Sequence, residues 1–208
     1  MHEPWLDDDV TARPADPGAD LRTIRALMER ARSYRHLPPA AAFTAGALAV
    51  AGAGATDAIL ARAPIAQSLG RLGLVWGAVL VAAAAGWVLL AWRSVRREGA
   101  PFVTPLAIEI LHALWPPLVG ALALTAALSR AGAAELVPAV WMLGYGAGAV
   151  AAGGFARRAV RWLGVAFVLA GLAHLALAPA PAVALGATFG GFHLVFGLVL
   201  AVRPAREA

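Results

Sequence analysis

The sequence predicts an all-α, polytopic membrane bundle with six transmembrane helices, a short amphipathic helix ahead of them, and N- and C-termini that are both cytoplasmic. Three observations predict it. With 61% hydrophobic and 14% charged residues over 208 positions, the chain has too little polar surface to cover a soluble globule. The apolar residues are gathered into six runs, 40–61, 72–92, 106–128, 137–155, 162–178 and 182–202, each near the roughly 20 residues that cross a bilayer. The arginines between those runs alternate in density, as the positive-inside rule requires of an even number of spans.

Taken in order, residues 1–19 hold Asp7, Asp8, Asp9 and Asp16 among prolines with little apolar material, and read as a disordered acidic tail. The tail is acidic and far from the first apolar run, so it does not read as a cleavable signal peptide; the first span is expected to stay as an anchor. Residues 20–36 place Leu21, Ile24, Leu27, Met28 and Ala31 at helical spacing, with Arg22, Arg25, Glu29, Arg30 and Arg32 round the remainder and Asp20 as N-cap. Pro38 and Pro39 end this amphipathic helix, which suits the cytoplasmic headgroup surface or a docking site for a cytosolic protein. The transmembrane domain then occupies 40–202, and 203–208 form a short cytoplasmic tail.

Orientation follows from counting. Arg22, Arg25, Arg30, Arg32 and Arg35 precede the first span; Arg93, Arg96 and Arg97 join the second to the third; Arg157, Arg158 and Arg161 join the fourth to the fifth; Arg203 and Arg206 follow the sixth. The alternate loops hold only Arg62, Arg71 and Arg130, a contrast that places both termini in the cytoplasm of a bacterial inner membrane. Trp92 and Trp162 fit an inner aromatic belt, Trp76 and Trp141 an outer one. The fifth and sixth spans, joined by APAPA, are expected to be antiparallel neighbours.

Composition also excludes. All 17 basic residues are arginine and sit largely at span ends, so the pI of 11.2 reflects orientation and anionic headgroups rather than nucleic acid. The lack of cysteine removes disulfides and thiolate ligands, leaving only histidine and carboxylate for a metal or haem. No G-x-S-x-G, H-E-x-x-H or glycine-rich phosphate loop is present.

Five ionisable residues fall inside spans: Asp57, Glu109, His112, His174 and His193. Such residues are costly in lipid and normally face the bundle interior, so each is a site candidate. By helical rise, His112 and His193 both lie roughly 16 to 20 Å from the outer surface, and Asp57 and His174 roughly 5 to 10 Å. Glu109 shares a face with His112. Pro116 and Pro117 predict a kink in the third span that frees the carbonyls of His112 and Ala113. Helical rotation, which hydropathy does not fix, decides whether His112 and His193 face each other. Gly144 and Gly148 in the fourth span, and Gly186, Gly190 and Gly191 in the sixth, mark close helix packing, within the chain by default or across a homodimer.

Three uses compete for these residues. Neutral histidines can hydrogen-bond between helices as structural cross-links. His112 and His193 can ligate haem b, or Glu109 and His112 a metal, although Glu-x-x-His occurs once where a di-metal bundle needs two copies. Glu109, His112 and His193 can also relay protons or bind a small solute.

IRALMER before the first span, the PP pair in the third, WMLGYGAGAVAAGGF in the fourth and FGGFHLVFG in the sixth together resemble a family of small, uncharacterised bacterial integral membrane proteins. The resemblance runs over nearly the whole chain and is most specific at the IRxLMER and FGGxHxxFG pieces. It implies six spans and makes His193 the recurring polar feature, with Glu109, His112 and His174 outside the pattern; it implies no activity. The sequence therefore favours a non-enzymatic membrane scaffold, sensor or regulatory partner with no cofactor, in contact with membrane lipids. The alternative is a haem- or metal-binding redox protein or small transporter built on His193.

Overall fold

The structure, a computed structural model, describes Gly18, Leu21 and residues 38–98, 105–154 and 158–202. The chain divides into two compact units, 1–33 and 34–208. In the first, Gly18 and Leu21 are helical. Gly18 belongs to the expected tail 1–19; the remainder of that tail, the remainder of the expected amphipathic helix 20–36 and the tail 203–208 lie outside the described residues.

The second unit is all-α among the described residues. Its helices are α1 (Pro39–Leu60), α2 (Ile65–Glu98), α3 (Pro105–Ala131), α4 (Val137–Ala152, preceded by a 3-10 turn, Ala134–Leu136), α5 (Arg158–Leu177) and α6 (Pro181–Val202). All six are long and apolar enough to cross a membrane, so the chain is a multi-pass membrane protein by length and composition. Side chains such as Leu74, Val81, Leu111 and Val195, each more than 60% exposed, form an outer surface that water would not tolerate and lipid accepts.

The helices begin and end where local chemistry dictates. Pro39, Pro138 and Pro181 sit in first turns, where a missing N–H costs nothing. Gly132, at φ 74°, ends α3 in the left-handed region, and the next N–H, that of Ala133, reaches back to the Leu128 carbonyl at 2.9 Å. Two helices outrun their apolar runs. At 34 residues, α2 extends past both ends of 72–92, because Gln67, Ser68 and Arg93 to Arg97 continue a helix as readily as the apolar core does. The prolines Pro116 and Pro117 lie inside α3, which runs on as one helix from Pro105 to Ala131.

Without a hydrophobic force between helices in lipid, close packing and polar bonds arrange them. Antiparallel neighbours can be read from the glycines. A Cβ at Gly146 would meet the Gly164 carbonyl oxygen at 2.8 Å, and one at Gly164 the Val150 nitrogen at 2.5 Å, so the α4 and α5 backbones are nearly in contact. Gly144 and Gly148 bring α4 onto Pro117, Ala121 and Leu114 of α3. Gly46 and Gly190 bring α1 onto α6, at Leu194 and Val50. Gly52 faces Val79 of α2. Two sets of three result: α3–α4–α5, with α4 central, and α2–α1–α6, with α1 central. The last span thus returns to pack mainly on the first, while its slighter contact with α5 includes the ring pairs of Phe167 with Phe189 and Phe192.

Hydroxyls and indoles clasp each set internally. Trp76 Nε1 donates to Thr56 Oγ at 3.0 Å between α2 and α1, and Trp141 Nε1 donates to Thr125 Oγ at 3.0 Å between α4 and α3. Each threonine hydroxyl in turn donates to the carbonyl four residues back, of Gly52 and Ala121 respectively. These tryptophans, expected in an outer belt, turn their N–H groups inward because an indole donor in lipid needs an acceptor. Trp92 and Trp162 remain exposed, and Arg96 stacks over the Trp92 ring at 4.3 Å.

Candidate functional site

His193 lies at the junction of the two sets. Ahead of it, residues Gly186–Phe192 form a π-helical turn, the wider coil that three glycines in GATFGGF permit. In an unbroken α-helix the Phe189 carbonyl would accept the backbone N–H of His193. Here the π-helical register sends backbone N–H groups five residues back instead of four, and the Phe189 carbonyl lies 2.9 Å from His193 Nδ1. A carbonyl can only accept, so Nδ1 carries the proton. Nε2 is then the acceptor of the neutral ring, and the Tyr145 hydroxyl, 2.8 Å away on α4, donates to it.

Aromatic rings surround this bond. Phe167, fully buried on α5, has its ring centroid 4.7 Å from Tyr145, 4.8 Å from Phe189, 5.3 Å from Phe192 and 5.6 Å from His193. Trp76 of α2 adds a contact with Phe189 at 5.7 Å. Most of these pairs are tilted or edge-on, the arrangement that ring quadrupoles favour. Four helices, α2, α4, α5 and α6, therefore meet on one interhelical hydrogen bond whose imidazole has no nitrogen left over.

The other sequence candidates lie elsewhere. Glu109 and His112, on α3, are exposed, and the imidazole of His193 bonds to Tyr145 rather than to His112. Asp57 is exposed on α1, whereas His174 is buried on α5, its Nδ1 without a hydrogen-bond partner among the described residues. His174 borders an open apolar recess of about 290 Å³ between α5 and α6, together with Met142, Thr188 and Phe192. Among the described residues no three His, Cys, Asp or Glu side chains gather in a way that could hold a metal ion. Of the glycines, a Cβ at Gly186 would meet Ala53 at 3.0 Å and one at Gly190 would meet Val50 at 2.7 Å, but one at Gly191, expected to share that packing, would meet nothing nearer than 4.0 Å.

Sequence reasoning missed Tyr145. The signal was present: the chain has two tyrosines, and Tyr145 is the one inside a span, where a hydroxyl must find an acceptor.

Fold and site together define a helical multi-pass membrane protein with a part-buried histidine–tyrosine pair set in an aromatic cluster between helices. No protein family, curated protein or solved structure matches the chain.

Proposed function

We propose that the chain is a non-enzymatic protein of the bacterial inner membrane, a scaffold or regulatory partner with both termini in the cytoplasm. The observation that carries this reading is the saturation of His193: Nδ1 is held by Phe189 and Nε2 by Tyr145. A buried imidazole used in this way joins helices. To ligate haem or a metal through Nε2 it would have to give up Tyr145, and His112, the partner such a site would need, is exposed on α3. A relay through Glu109 and His112 lacks support for the same reason. The resemblance to small bacterial membrane proteins agrees with this reading, since His193 is the polar residue those motifs share. Contact with a cytosolic protein through residues 20–36 is the regulatory arm of the proposal.

The test is a visible absorption spectrum of the detergent-purified protein before and after haem addition. The expected result is a haem spectrum identical to that of free haem in the same detergent. A shifted Soret band that disappears in His193→Ala would overturn the reading and establish the ligand alternative.

A further inference from the structure

The backbones of α4 and α5 are pressed together by Gly146, Gly153 and Gly164, and beside that contact runs an open apolar furrow of about 430 Å³. Its walls are Ala147, Val150 and Ala151 on α4 and Val165, Val168 and Leu169 on α5. The furrow exists because alanines stand where the paired helices would otherwise fill the gap with larger side chains.

Above the α5 wall the same helical face carries charge. Arg158 and Arg161 precede Val165 by seven and four residues, spacings that put all three on one face. Arg161 marks the end of the furrow, since its backbone sits against Gly153 where α4 finishes. From Arg161 to Leu169 the rise is about 12 Å, the length of a substantial part of an acyl chain. Both arginines are exposed and make no ion pair or hydrogen bond among the described residues. The first turn of α5 contains no acidic residue, so the positive end of the helix dipole is added to theirs. Trp162, 66% exposed, stands beside Arg161 as an interfacial indole does.

We propose that this furrow is a binding site for an anionic phospholipid, one acyl chain lying along Ala147, Ala151, Val165 and Leu169 and the headgroup phosphate held by Arg158 and Arg161. Charge complementarity selects the occupant: a zwitterionic lipid fills the furrow equally well but gains less from two uncompensated guanidinium groups and a helix N-terminus. The proposal rests on the membrane reading above and fails separately from it. A chain outside the membrane would be released from membranes by alkaline carbonate, whereas a membrane protein without this site would stay embedded and bind lipids indiscriminately.

The test is native mass spectrometry of delipidated full-length protein titrated with phosphatidylglycerol and with phosphatidylcholine of the same acyl chains. Phosphatidylglycerol is expected to bind more tightly, and replacement of both Arg158 and Arg161 by Gln to weaken it about fivefold for each arginine, with phosphatidylcholine unchanged. Arg158→Lys, which keeps the charge, should retain the preference. Filling the furrow with Ala147→Phe, or separately with Val165→Phe, should weaken phosphatidylglycerol about fivefold while the thermal midpoint stays near that of the parent. Equal binding of the two lipids by the parent, or an unchanged preference in the double Gln variant, would overturn the proposal. So would loss on arginine replacement with no loss in either folded furrow-filling variant, because the headgroup would then be adsorbing to a basic rim alone.

Discussion

Replacing Gly164 by Ala tests the packing that sets the site in place. The new methyl carbon would stand 2.5 Å from the Val150 nitrogen, 2.7 Å from the Gly146 oxygen and 2.9 Å from the Ala149 carbonyl carbon. All three are backbone atoms of α4, so no side chain can rotate away, and the helices must part by about 1 Å to regain ordinary contact. Overpacking of this kind costs about 1–3 kcal/mol, and a clash with backbone on three sides belongs at the upper end. Alanine returns roughly 1 kcal/mol of helix propensity relative to glycine, leaving a net loss of about 2 kcal/mol. For a chain of this length that lowers the thermal midpoint by about 4–8 °C. The assay is thermal unfolding in one detergent, with Gly77→Ala as the matched control. Nothing lies within 4 Å of a Cβ at Gly77, so that change should be neutral or stabilising by up to about 1 kcal/mol. A Gly164→Ala protein as stable as Gly77→Ala would refute the close approach of α4 and α5.

Three further outcomes follow from the structure. Thr56→Val removes the acceptor of the Trp76 indole N–H in a position with 0% exposure, and should cost about 1 kcal/mol in the same unfolding assay. His112→Leu and Glu109→Gln alter exposed residues of α3, so each should leave stability unchanged or raised; a loss above about 1 kcal/mol would show that these side chains have protein partners. Because the chain has no cysteine, single cysteines at Ser94 and Ser129 report topology directly: in intact cells an impermeant maleimide should label position 129 and spare position 94, and the reverse would invert the proposed orientation.

The spans were legible because apolar length is a one-dimensional property. The run at 182–202 coincides with α6 to within a residue, and the run at 40–61 with α1. Helix ends were harder where the flanking residues were polar helix formers, as in α2. The site was half legible. His193 announced itself as an ionisable group in an apolar run, and Gly186 and Gly190 announced close packing. Its partner depended on helix rotation and on which helices adjoin, and neither is encoded in hydropathy. Depth alone matched His193 with His112. The π-helical turn, which leaves the Phe189 carbonyl to the imidazole, and the return of α6 to α1 decided for Tyr145. His174 and Asp57 show the same limit: similar depths, yet one is buried and the other exposed.

The central claim is that His193 joins two three-helix sets through Tyr145. A double-mutant cycle with Tyr145→Phe, His193→Phe and the double variant measures that bond most directly, by reversible unfolding in a detergent or bicelle. The account predicts a coupling of about 0.6 kcal/mol, the average for a single interhelical hydrogen bond in a membrane protein, and no more than about 1.7 kcal/mol. Additivity of the two single changes to within about 0.3 kcal/mol would contradict it.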